Sequence, residues 1–471
     1  MNMFAALLFS VTLSADGPGL SEEAVLLPEP WQPGDCDGIN DYIAPGELAI
    51  QNPCKVTRTA PPIELGPDLL GLGKLEPGFE VPGGAIWQPA LYLLGGYRTA
   101  LSVVDNGATD VGEWTHRLDL GVNLQLTATE RVVLVLTPLS KDGRFTNYQW
   151  HPSSQRGWTE EFNSDIEQFW FEGDFGELFP ALTRGNDPKR ERNLEYGFSL
   201  GRQPLSFNEG MLIDDTVDSL GVVRNNLQWF ADSASTRVTV LAAWDEIHRS
   251  DNIEDPGAKM LAVFGASDFH RTSYELDMAW VDGGRRAGDG FNLGFSATRR
   301  IGHWNASFRL NGSAALDDSS TAVDDGALAF VEFSTAPRGT HNVVYLNGFV
   351  AFDNYTSAAR GPTRGGPLAR VGLLFDGPGL GRFPSALSSL SSKAAGGAAG
   401  YQLFTNRERG NLVMELGVRY DDAASTTNVA VGLRHQLALG RRWLWQSDTY
   451  LVDGEDRDFG YGLRTELNLA F

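Results

Sequence analysis

The chain has 471 residues and a formal net charge of −22. That excludes nucleic-acid binding through the overall field, and no interior stretch reaches the roughly 20 apolar residues of a membrane helix. A polar average composition still allows a membrane barrel, in which only alternate residues meet lipid.

The first segment is a short apolar run, Phe4 to Leu13, followed by the small residues Ser14 and Ala15. It reads as a secretory signal over residues 1–15; the usual basic start is missing, and a misplaced start codon is the competing reading. Residues 16–84 hold eleven prolines, which disfavours regular strands. A proline-rich periplasmic extension or plug is expected there, a place to receive a periplasmic partner. Cys36 and Cys54, the two cysteines of the chain, fall in it. An oxidising compartment favours a disulfide closing a loop of about 18 residues, worth roughly 3 kcal/mol in the chain-entropy picture. Two free thiols are the alternative.

From Trp87 onward, segments of roughly ten residues alternate apolar and polar between turn residues. Over residues 114–126, Leu118, Leu120, Val122, Leu124 and Leu126 oppose Arg117, Asp119, Gly121, Asn123 and Gln125. Over 411–420, Leu412, Met414, Leu416, Val418 and Tyr420 oppose Asn411, Glu415, Gly417 and Arg419. Residues 428–437 set Arg434 among the polar positions, and 459–471 set Arg464 and Glu466 there. Apolar faces of about five residues suit strands of 9–11 tilted residues crossing the hydrocarbon layer. Polar faces rich in charge and glycine suit a crowded, water-filled lumen.

The connections alternate as well. Short, often basic ones (127–130, 267–272, 299–303, 440–442) take turns with longer, acidic ones (251–256, 317–325, 353–397, 453–458). Short periplasmic turns and long external loops are the barrel pattern. The expected fold is therefore all-β: a transmembrane antiparallel β-barrel of about eighteen strands over residues 85–471, in the bacterial outer membrane. The longest loop, 353–397, either folds into or caps the pore, or is a mobile external loop; within it, 368–375 has the composition of an extra strand. Trp87, Trp114, Trp229, Trp244, Trp304, Trp443, Trp445, Tyr450 and Phe459 cluster toward segment ends, as interface girdles do. Phe471 ends an alternating strand and reads as the signal recognised by the outer-membrane assembly machinery.

No catalytic constellation emerges. Residues 197–201 fit G-x-S-x-G, but a strand pattern runs through them where a nucleophile elbow needs a strand-to-helix turn. The seven histidines are scattered, and Gly71 to Lys74 lack the rest of a phosphate loop. No cofactor or metal is expected, and the chain is read as a non-enzyme. Counting by parity, Arg117, Arg224, Arg309, Arg419, Arg434 and Arg464 point inward, with Asp119, Glu172, Asp174, Glu275, Asp277, Glu332, Glu415 and Glu466. Some brace the wall as cross-strand pairs. The remaining arginines suit a path for anionic groups, because guanidinium grips carboxylate or phosphate as a fork.

Three blocks resemble the alginate-export family of outer-membrane porins: Arg117 to Leu120 with Leu124 to Arg131; Glu172 to Leu178; and Gly201 to Leu205 with Asn208 to Met211 and Gly221 to Arg224. They span roughly residues 87–229; beyond that the similarity is only barrel-like. The resemblance implies an eighteen-stranded barrel with an arginine-rich lumen, in which Arg117, Arg202, Arg224, Glu172 and Asp174 line the conduit. It also implies export of an acidic polysaccharide as one function. The leading expectation is a channel for anionic solutes. The alternative is a structural barrel housing a partner such as a multihaem cytochrome; the chain itself has no Cys-x-x-Cys-His.

Overall fold

The computed structural model describes residues 60–471 except 68, 70–77, 108–109, 184–194, 285, 318–321, 378, 407 and 456. The expected signal segment and the Cys36–Cys54 pairing lie outside the described residues.

Alternation becomes strand after strand. The wall is built from β1 (Ala90–Asp105), β2 (Asp110–Gln125), β3 (Arg131–Leu136), β4 (Ile166–Asp174), β5 (Tyr196–Phe207), β6 (Ile213–Leu227), β7 (Ser233–Asp245), β8 (Lys259–Phe269) and β9 (Thr272–Asp282). It continues with β10 (Gly290–Ile301), β11 (Trp304–Ala315), β12 (Gly326–Thr335), β13 (Val343–Asn354), β14 (Ser392–Thr405), β15 (Gly410–Asp421), β16 (Thr426–Ala438), β17 (Trp443–Gly454) and β18 (Arg457–Ala470). Each pairs antiparallel with the next. Strand β18 closes on β1, with Tyr461 opposite Asp105 and Ala470 opposite Gly96. Closure leaves no open edge at mid-wall, the condition for carrying backbone polar groups through hydrocarbon. Leu261, Leu310, Leu416 and Leu463 stand exposed on the outer face, while their chain neighbours Met260, Arg309, Glu415 and Arg464 are buried inside.

The long-loop end faces outward from the cell by the barrel rule. There the lumen is filled by the protein's own residues. The five-residue connection between β5 and β6 bends inward and buries Met211 and Leu212 completely. The connection between β13 and β14 crosses to it: Tyr355 Oη and Ser357 Oγ donate to the Met211 carbonyl at 3.0 and 2.7 Å. Ala359 and Arg360 then add a short parallel strand to the top of β6, opposite Ile213 and Asp214. The segment returns along the far wall, where Leu368, Val371, Leu374, Phe375 and Leu387 join an apolar cluster with Phe330 and Phe349. Of the two readings of this loop, the inward one describes it.

Two boundaries differ from expectation. Residues 392–397 belong to β14, because its small side chains hide the alternation; a Cβ on Gly396 would meet the Val418 carbonyl and the Phe349 ring. Residues 368–375 are not a strand: Pro367–Val371 forms a 3-10 turn. The proline-rich extension does contribute strand, since Ile63–Leu65 lies between prolines and pairs with Leu91 to Leu93 of β1.

Candidate functional site

The alternating wall sets charged side chains of β16, β17, β18, β1 and β2 in one continuous inner row. Arg434 stands opposite Asp448, Asp448 opposite Arg464, Asn468 opposite Arg98, and Arg98 opposite Arg117. The ion pairs run along it. Arg434 Nε meets Asp448 at 2.5 Å and Arg464 meets it at 3.0 Å. Arg464 and Arg98 share Glu466, the latter at 2.5 Å, and Arg117 pairs with Asp119 at 2.9 Å. Four arginines thus face three carboxylates. Further round, Arg131 of β3 holds Glu172 of β4 at 2.6 Å, and Trp170 Nε1 donates to the same carboxylate at 2.9 Å.

Exposure divides these arginines into two sets. Arg464 is fully buried and Arg419 nearly so; Arg309, pinned to Glu332 at 3.1 Å, is buried too. They brace the structure: Arg419 pairs with Asp421 and donates to the carbonyls of Ser388 and Leu390 at 3.0 and 2.7 Å, tying the crossing loop to the wall. Arg98, Arg117 and Arg434 keep 23–25% of their side chains accessible and Arg131 keeps 41%. A guanidinium offers five donors, more than a single carboxylate can occupy.

Two expected lining residues are placed otherwise, and a third, Asp174, shares the inward face of Glu172 but lies at its end. Arg202 and Arg224 share a face with the exposed Leu200 and Leu220, which is the outer one. Adjacent Val222 and Val223 allow either phase of alternation, and parity counted from sequence takes the wrong one. The outer position is tolerated for physical reasons. Arg202 is neutralised by Asp218 and Glu246, both at 2.9 Å. Arg224, near the end of β6, lies over the Tyr196 ring at 4.7 Å and donates to the Glu195 carbonyl at 2.9 Å, and arginine costs little near the interface. Asp174 sits at the foot of β4, where its carboxylate accepts the Gly176 amide at 2.7 Å and caps the four-residue helix α1 (Phe175–Leu178).

Other functional residues escaped the sequence reading. Arg98 and Asp448 lie at inward positions of their strands, and parity would have found both. Glu113 was harder, and Glu415, expected to point inward, was legible without its partners. Glu113 accepts the Arg382 amide at 2.5 Å, and Glu415 the amides of Leu373 and Leu374. Their partners come from a loop whose path no local pattern reveals. That loop also sets Asp376 in a small hollow with Arg434, Asp448, Phe383 and Tyr450. Burial pushes the Asp376 carboxyl above its ordinary range, against the pull of Arg434.

The fold matches solved outer-membrane structures. OccAB2 of Acinetobacter baumannii aligns with a TM-score of 0.53 at 10% identity, over 81% of this chain and 98% of that one. OccK9 (OpdG) of Pseudomonas aeruginosa gives 0.53 at 9%, over 81% and 98%. OprD of the same organism gives 0.52 at 8%, over 81% and 95%. At such identities the likeness is one of fold. It defines the class of protein: an eighteen-stranded outer-membrane β-barrel. No family model and no curated protein matches the sequence, so the resemblance to the alginate-export family gains no support from these comparisons.

Proposed function

We propose that this barrel is a porin-like channel for small anionic solutes, led past the crossing loop by the accessible guanidiniums of Arg98, Arg117, Arg131 and Arg434. The observation that carries the reading is the inner row of arginines in which Arg98, Arg117 and Arg434 keep part of their side chains accessible to the lumen. Charges lining a narrow passage act at short range and low effective dielectric. Acidic groups beyond the rim are screened within about 8 Å at physiological salt. A net charge of −22 therefore does not decide selectivity.

Small solutes fit better than an acidic polysaccharide or a housed cytochrome, because the outer half of the lumen is occupied by buried side chains of the protein itself. One structure of the same fold, OpdK, is of that protein with vanillate, a carboxylate. The test is the reversal potential of the reconstituted protein in a planar bilayer under a salt gradient. The expected sign is anion-selective, and Arg117→Glu with Arg434→Glu should move it toward cations. Cation selectivity of the unmodified protein would refute the proposal. Absence of conductance would bring back the structural-barrel alternative.

A further inference from the structure

The lumen arginines have carboxylate partners; a second set of arginines, on the outside of the barrel, does not. At the short-turn end, residues 270–271 connect β8 to β9, and Arg271 and His270 are exposed there. With Asp232, Phe269, Thr272 and Tyr274 they line an open hollow of about 380 Å³. Tyr274 belongs to the outer face, in line with the exposed Leu276, Met278 and Trp280. Thr272 shares that face, and its partner on β10 is Arg299, which is exposed as well. Neither Arg271 nor Arg299 forms an ion pair or hydrogen bond among the described residues.

Above the two cations lies an aromatic shelf. Phe230 packs on Phe269 with ring centroids 5.9 Å apart, Phe269 on Tyr274 at 5.6 Å, and Tyr274 on Phe295 at 6.3 Å. Phe230, Tyr274 and Phe295 are all substantially exposed. Aromatic rings at the interface with cationic groups at their edge are what a lipid meets where its chains join its head group. Short turns place this end at the periplasmic leaflet.

We infer that Arg271 and Arg299 hold the phosphodiester of an anionic phospholipid of the periplasmic leaflet, with its acyl chain lying along Phe269, Tyr274 and Phe295. Two guanidiniums without protein partners suit the phosphate oxygens, which they can grip as forks. A zwitterionic lipid carries the same phosphate with a compensating cation and gains less from the pair. Asp232, the one acid of the hollow, opposes the anion and weakens the site.

The test is native mass spectrometry of the purified barrel released from mixed phosphatidylglycerol and phosphatidylcholine micelles. The unmodified protein should retain phosphatidylglycerol selectively. Arg271→Ala with Arg299→Ala should lower that retention roughly 30-fold, at about tenfold per 1.4 kcal/mol and about 1 kcal/mol for each cation near an anionic lipid surface. Asp232→Asn should raise it. Arg338→Ala, in another short turn, should leave it unchanged and serves as the control for surface charge in general. Arg271→Lys with Arg299→Lys keeps the charge but loses the fork, and should fall between the two. Each variant is first checked for the folded, heat-modifiable band on gels; if the double alanine variant does not fold, the Asp232→Asn and lysine variants carry the comparison. Equal retention of the two lipids, or the same loss on changing Arg338, would overturn the inference.

Discussion

Glu415 Oε1 accepts the amide of Leu374 at 2.8 Å, and its other oxygen accepts the amide of Leu373 at 2.9 Å and the hydroxyl of Tyr345. One wall carboxylate thus fixes the turn of the crossing loop. Glycines make the approach feasible. Tyr345 reaches Glu415 across Gly400, where a Cβ would overlap its ring, and Leu374 settles against Gly417 and Gly432. Removing the carboxylate leaves two loop amides without acceptors, at about 1–3 kcal/mol each. Glu415→Ala should therefore free the loop and raise single-channel conductance, with Glu415→Gln intermediate. Unchanged conductance in the alanine variant would show that the loop is held elsewhere.

The two faces of the wall make an internal control for the proposed selectivity. Arg434 faces the lumen, while Arg224 stacks on Tyr196 outside. Arg434→Gln should shift the reversal potential toward cations, and Arg224→Gln should leave it within error of the unmodified protein. Comparable shifts from both would mean that surface potential, and not the inner row, sets the selectivity.

The strand pattern was legible because a period of two carries it, and strands such as β2, β15 and β18 hold five large apolar residues in alternation. Phase was legible only where the apolar face is unbroken. In β6 the paired valines Val222 and Val223 erase it, and Arg224 is misassigned. In β14 the small residues from Ser392 to Gly397 erase the strand itself. The site was legible in its residue types but not in its partners. Glu415 reads as one more inward acid until Leu373 and Leu374, some forty positions earlier in the chain, arrive from a loop with no period of its own. Long-range contacts of this kind follow from the barrel's closure and width, which local sequence does not encode.

Phe471 pairs with Gly95 through both backbone bonds, at 2.8 and 3.0 Å. The ring lies where a side chain on Gly95 would stand: a Cβ there would come within 2.6 Å of both the ring and the Asp119 carbonyl. The ring can turn aside, but the carbonyl belongs to the β1–β2 ladder. Overpacking of this kind costs about 1–3 kcal/mol. Gly95→Ala should reduce the fraction of heat-modifiable, folded protein on gels. Gly96→Ala, whose nearest atom is the Leu469 carbonyl at 3.6 Å, should not. Equal folding of the two variants would mean that the closing pair β18–β1 tolerates displacement at this point.

The docking of the crossing loop on β6 should depend on pH through His248. This residue, in the connection after β7, sets its Nδ1 3.0 Å from Asp215 Oδ1, and its amide donates to Asp215 Oδ2 at 2.8 Å. Its carbonyl accepts the Arg360 amide of the crossing loop at 2.8 Å. Burial acts against the imidazolium, but the hydrogen bond and charge of Asp215, with Glu246 and Glu254 nearby, outweigh it and raise the pKa of His248. The surrounding charges also include Asp214, bound to Arg364 at 3.3 Å, and the buried Arg360. A raised value means that the folded protein holds a proton the unfolded chain releases. The stabilisation is complete below the ordinary histidine pKa of about 6.5 and is lost as pH rises through the raised folded-state value. Amide exchange of residues 355–366 should therefore accelerate, beyond its intrinsic base catalysis, as pH passes upward through that window. In His248→Gln the exchange should already be fast at low pH and follow only the intrinsic dependence. If the two proteins exchange in parallel over the whole range, His248 does not control the contact.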